Sequence, residues 1–150
     1  MLKINSVIKE SIVDGEGLRY VIFVQGCPHH CKGCHNPQTW STKLGMFVDI
    51  NTIINDIKSN PLLDGVTFSG GEPMLQSEAL TELAKEIKNL GLNIWCYTGF
   101  TYEQIKESKK DFLQYIDVLV DGKFIEEQKC LGEYYGSKNQ RIIKLWNSKH

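Results

Sequence analysis

The sequence predicts an α/β fold built on a mainly parallel sheet, and three observations carry that prediction. Short β-branched and aromatic runs recur without polar alternation, amphipathic stretches of helical period lie between them, and glycine-containing loops follow the runs. The length of 150 residues, with 41% apolar and 23% charged residues and four prolines, is that of one globular domain spanning residues 1–150. Such a composition excludes a disordered, collagenous or low-complexity chain.

The first run, Tyr20-Val21-Ile22-Phe23-Val24, has the pattern of a strand covered on both faces. Val66-Thr67-Phe68, Ile94-Trp95-Cys96-Tyr97 and Val118-Leu119-Val120 follow as further strands. Between them, Ile50, Ile53, Ile54 and Ile57 fall at i, i+3, i+4 and i+7, with Pro61 just beyond. Leu80, Leu83, Ala84, Ile87 and Leu90 repeat that spacing and meet Gly91, a helix stop. A third, short helix begins at Thr101, because Thr101 with Gln104 has capping-box spacing and Phe100 with Ile105 that of a hydrophobic staple. Strands alternating with helices imply right-handed crossovers, and binding sites in such folds gather at the carboxyl ends of strands. The loops at those ends are Gln25 to Trp40, Ser69 to Met74, Thr98-Gly99 and Asp121-Gly122. The terminal apolar run, Ile142 to Trp146, is either an added strand or a partner surface.

Charge argues against two classes of partner. Seventeen basic and eighteen acidic residues leave a net charge of -1, without the basic excess of a nucleic-acid or anionic-membrane binder. The longest apolar stretch falls far short of the ~20 residues that span a bilayer, and the first residues lack a secretory apolar core. A cytoplasmic protein is therefore expected. In that reducing setting five cysteines point to metal or chemistry rather than to a disulfide framework.

Three of them form a C-x3-C-x2-C motif, Cys27, Cys31 and Cys34, in the loop leaving the first strand. Gly26, Pro28, Gly33 and Pro37 favour the tight turns needed to wrap a backbone around one point. An iron–sulfur cube meets that demand, and three thiolates instead of four leave one iron with an open position for chemistry. The alternative is a structural zinc site completed by His29, His30 or His35, although zinc ligands usually come as two separated pairs and no second pair is present. Cys96, inside an apolar run, reads as a small buried hydrophobe, and Cys130 as an ordinary thiol. His29 and His30 are expected on the loop exterior.

The cysteine loop, together with Ser69-Gly70-Gly71-Glu72-Pro73 after the second strand, resembles the radical S-adenosylmethionine (SAM) superfamily. Within it, Gly33-Cys34-x-Asn36-x-x-Thr39-Trp40 is similar to the activating components of anaerobic ribonucleoside-triphosphate reductases. So are Ile94 to Phe100, Val118 to Phe124, Gly136 to Gln140 and Asp14 to Arg19, where Glu16 replaces a common proline. The resemblance implies an incomplete, open parallel β/α barrel with a [4Fe-4S] cluster on Cys27, Cys31 and Cys34. It implies SAM lined by the backbone of Gly33, Cys34 and His35, with its methionine amine held by Gly70, Gly71 and Glu72. Reductive cleavage of SAM would then place a glycyl radical on the large reductase subunit, with a flavodoxin-type protein as electron donor. Two other readings stand beside it: another small radical SAM enzyme, such as a formate-lyase-type activase or one acting on a small molecule, and a zinc-stabilised binding module.

Overall fold

A computed structural model describes residues 1–145; Trp146, the end of the expected terminal run, lies outside the described residues. The strands are β1 (Leu2–Ser11), β2 (Arg19–Val24), β3 (Met46–Val48), β4 (Gly65–Gly70), β5 (Asn93–Tyr97), β6 (Val118–Asp121) and β7 (Arg141–Lys144). The helices are α1 (Ile50–Lys58), α2 (Ser77–Asn89), α3 (Tyr102–Ile105) and α4 (Lys110–Leu113). All seven strands join one sheet in the order β3-β1-β2-β4-β5-β6-β7, which has two edges and is open. Among the described residues no helix is long and apolar enough to cross a membrane.

The α/β class holds, but the sheet is mixed. β2, β4, β5 and β6 are parallel neighbours, whereas β1, β3 and β7 pair antiparallel. The cause is connectivity. A parallel neighbour needs a crossover, and α1, α2 and the α3–α4 pair supply three; the links from β1 to β2 and from β6 to β7 contain no α-helix and return the chain antiparallel. β1 gives no clear strand signal because a bulge between Ile4 and Ser6 breaks its alternation. The terminal run supplies β7, paired on β6 from Arg141 to Lys144.

Helices form where the periodicity puts them. Asp49 caps α1 by accepting from the Asn51 N–H at 2.8 Å, and Thr101 and Gln104 form both halves of the capping box on α3. Ile53, Ile54 and Ile57 of α1 and Leu80, Leu83, Ala84 and Ile87 of α2 pack with Tyr20, Ile22, Val66, Phe68, Ile94 and Cys96 in one buried core. Alternate strand residues, including Arg19, Thr67, Trp95 and Tyr97, face the opposite side of the sheet, where segments 12–18 and 122–140 cover them. There Thr67 Oγ1 donates to the Asp14 carbonyl at 2.7 Å, and Tyr97 donates its hydroxyl to the Tyr134 carbonyl at 2.6 Å.

Arg19 anchors this second layer. It is fully buried; its guanidinium donates to Thr67 Oγ1 at 2.7 Å and to the carbonyls of Glu16 at 2.8 Å and Val66 at 2.9 Å. Burial lowers its pKa to about 10. Gly15, at φ +123°, passes so close that a Cβ would lie 2.9 Å from both Arg19 Cδ and Trp95 Cδ2. Gly15→Ala is therefore expected to lower the thermal midpoint of the metal-free protein by about 5 °C or more. Gly91→Asn, at a φ of +78° with no neighbour within 4 Å of a Cβ, should shift it little. Equal melting shifts in the two variants would show that the Gly15 contact carries no weight.

Candidate metal centre

The cysteine loop leaves the carboxyl end of β2 through Gly26, at φ +103°, and is closed by its own backbone. The Gly26 N–H donates to the Thr39 carbonyl at 2.6 Å and the Cys27 N–H to the Trp40 carbonyl at 3.0 Å. The buried Gln25 amide donates to the carbonyls of Gln38 at 3.1 Å and Ser41 at 2.7 Å, tying together the two ends. Inside the loop the Cys34 N–H donates to the Cys31 carbonyl at 3.1 Å, and the Asn36 N–H donates to Cys34 Sγ at 3.4 Å. Main-chain donors to sulfur are one means of tuning an iron–sulfur cluster's potential.

Glycine at position 33 has first a backbone reason. Its φ is +76°, and a Cβ would stand 2.8 Å from Glu126 Oε2 on the segment folded over the loop. Gly70 and Gly71 are constrained more firmly, by neighbouring backbone. They lie where the end of β4 crosses the root of the cysteine loop, so that a Cβ on Gly71 would be 2.7 Å from the Val24 carbonyl oxygen. The Gly71 N–H donates to that oxygen at 3.2 Å and the Glu72 N–H to the Gly26 carbonyl at 2.7 Å.

Cys27, Cys31 and Cys34 line one cavity of about 400 Å³ with His35, Gly70 and Gly71, at the carboxyl ends of the parallel strands. That volume is in the range of small-molecule and cofactor sites, about 300–1,000 Å³. Gly33 and Glu72 do not line it. Glu72 is instead buried beneath, where its carboxylate accepts from Thr98 Oγ1 at 2.7 Å, the Gly99 N–H at 2.8 Å and the Met74 N–H at 3.1 Å. His29, expected on the exterior, turns inward, with Nε2 2.6 Å from Glu72 Oε1. His30 does remain outside, stacked on Trp40 at 4.6 Å.

The opposite wall was not apparent from sequence. Tyr97, at the end of β5, and residues 130–136 complete the cavity, which brings Cys130 to the same space as the three motif cysteines. Tyr97 could have been found from its place at a strand's carboxyl end. Cys130 carries no spacing signal, and only the folding of the segment after β6 over the loop places it there.

The donors fit an iron–sulfur group. All three motif cysteines are free thiols, partly exposed to the shared cavity. Burial pushes the Cys27 thiol above its ordinary value, opposed by the main-chain groups of His29 and His30, so its thiolate gains from a cationic partner. Among the described residues, no three His, Cys, Asp or Glu side chains converge as a single-ion site requires. Of the three histidines in the loop, His35 lines the cavity, whereas His29 and His30 do not. Cys96 is fully buried in the core, as its run implied, and burial raises its thiol well above the usual value.

Residues 13–143 match the protein family described as a 4Fe-4S single cluster domain. Fold and site thus define a small α/β protein of the iron–sulfur class, carrying three of its five cysteines on one strand-end loop. The chain is 41% identical over 143 residues to the anaerobic ribonucleoside-triphosphate reductase-activating protein of Haemophilus influenzae, covering 89% of this chain and 92% of that one. It is 34% identical over 142 residues to the protein of that name from Enterobacteria phage T4, covering 91% and 88% respectively. With that from Escherichia coli K12 it shares 34% over 144 residues, covering 89% and 93%. The chain belongs to the family of anaerobic ribonucleoside-triphosphate reductase-activating proteins.

Proposed function

We propose that this chain is a radical SAM activase that installs a glycyl radical on the large subunit of an anaerobic ribonucleoside-triphosphate reductase. The observation that carries the reading is the meeting, in one cavity, of a three-cysteine loop and a two-glycine strand end. Cys27, Cys31 and Cys34 would hold three irons of a [4Fe-4S] cluster, leaving the fourth to the amino and carboxylate groups of SAM. The bound pair supplies one-electron cleavage of the sulfonium and hydrogen-atom abstraction from a glycine Cα.

The chain's own part is position and exclusion. The clasp from Gly26 and Cys27 to Thr39 and Trp40 sets the span that carries the three thiols. Gly70 and Gly71 bring main chain, without side chains, to the cavity wall, and the backbone of Cys34 and His35 would follow the cofactor on the other side. Tyr97, holding the Tyr134 carbonyl, fixes the segment that shields this space from water. In this reading the open sheet is an incomplete β/α barrel, whose unclosed side admits a polypeptide loop of the reductase. A flavodoxin-type protein would deliver the electron.

The test is spectroscopic. Reduced, cluster-loaded protein mixed with SAM and a reductase large subunit is expected to give a glycyl-radical doublet by electron paramagnetic resonance. An intact cluster that cleaves SAM without producing the doublet would transfer the assignment to another small radical SAM enzyme. Iron without acid-labile sulfide, or zinc alone, would remove the cluster itself.

A further inference from the structure

The glutamate of the Gly-Gly-Glu motif is already saturated. A carboxylate offers about four lone-pair directions; Glu72 uses them on His29 Nε2 at 2.6 Å, the Gly99 N–H at 2.8 Å, Thr98 Oγ1 at 2.7 Å and the Met74 N–H at 3.1 Å. Its side chain is wholly buried, and that of His29 is 6% exposed. Since the carboxylate can only accept, the histidine Nε2 carries the donated hydrogen. The imidazole is wedged in place: its edge meets Phe100 at 4.7 Å, and a Cβ on Gly99 would lie 2.6 Å from Nε2. His29 belongs to the span between Cys27 and Cys31, whereas Thr98 and Gly99 follow β5. Glu72 therefore joins the strand-end loops after β4 and β5 to the middle of the cysteine loop.

We propose that His29 and Glu72 act as one positioning unit that holds the Cys27–Cys31 span against the ends of β4 and β5, and that the Glu72 carboxylate does not receive the ammonium of SAM. To contact SAM it would have to surrender buried hydrogen bonds, each costly to break without replacement. The motif presents Ser69, Gly70 and Gly71, and not Glu72, to the cavity. This assignment rests on the cluster-and-SAM reading above.

The experiment uses cluster-loaded full-length protein in five forms: unsubstituted, His29→Ala, Glu72→Gln, the double variant and His29→Gln. SAM affinity and the electron paramagnetic resonance spectrum of the reduced cluster before SAM addition are both measured. His29→Ala and Glu72→Gln are expected to weaken SAM binding alike, by about tenfold, as loss of an outer-shell partner does. The double variant should be no weaker than the worse single one, and both single changes should shift the SAM-free spectrum. His29→Gln, which keeps an N–H within reach of Glu72, should recover both readouts. A much larger loss of affinity in Glu72→Gln with an unshifted SAM-free spectrum would mean that the carboxylate touches SAM, and would overturn the proposal. So would additive losses, or failure of His29→Gln to recover either readout. Unsubstituted protein that holds the cluster yet binds no SAM would remove the underlying reading instead.

Discussion

Alanine in place of any one of Cys27, Cys31 and Cys34 is expected to abolish SAM cleavage, whereas Cys130→Ala should keep most of it. The three residues share a loop whose ends are clasped by main-chain bonds from Gly26 and Cys27, so their relative positions are set locally. Loss of one thiolate would leave the cube with two protein thiolates. Cys130 approaches from a different segment, and its thiol lies 4.0 Å from the Tyr135 carbonyl oxygen. Iron and sulfide content, together with release of 5′-deoxyadenosine, measures the outcome. Equal loss in all four variants would show that Cys130 shares the ligand role and that the fourth iron is not open.

The second large effect is expected from Gly71→Ala. A Cβ there would press on the Val24 carbonyl oxygen at 2.7 Å and also meet the carbonyl of Gly26. Both neighbours are backbone, so neither can rotate aside. Relief requires separating the end of β4 from the root of the cysteine loop, where the Gly71 and Glu72 N–H groups make their bonds. A cost of about 3 kcal/mol is expected from such overpacking, seen as a lowered unfolding midpoint and poor cluster retention. Gly132→Ala is the control: its φ is +81° but a Cβ would meet nothing within 4 Å, so only about 1 kcal/mol of backbone strain applies. Matching midpoints for the two variants would show that the motif glycines are not held by packing.

The two motif glycines show how sequence reasoning reaches a residue and stops short of its cause. Gly70-Gly71 reads as a place where main chain approaches a ligand. The fold adds that the nearest obstruction to a side chain is the neighbouring strand's exit, so these positions would require glycine even with no ligand bound. His29 is the converse case. A histidine in a polar loop has no periodic signal, and its inward turn depends on a carboxylate 43 residues away in sequence.

Local physics made much of the chain legible. Helical spacing placed α1 and α2, the Thr101–Gln104 pair placed the start of α3, and unbroken apolar runs placed the four parallel strands, because each signal is complete within a few neighbouring residues. The cysteine spacing likewise marked out the loop proposed to hold the cluster. Tertiary structure alone decided the antiparallel flanks, the burial of Arg19 behind segment 12–18, and the arrival of Cys130 beside the three motif cysteines. It also turned Glu72 away from the cavity. These outcomes depend on which distant segments share a surface, and hydrogen-bond satisfaction between such segments leaves no period in the chain to read.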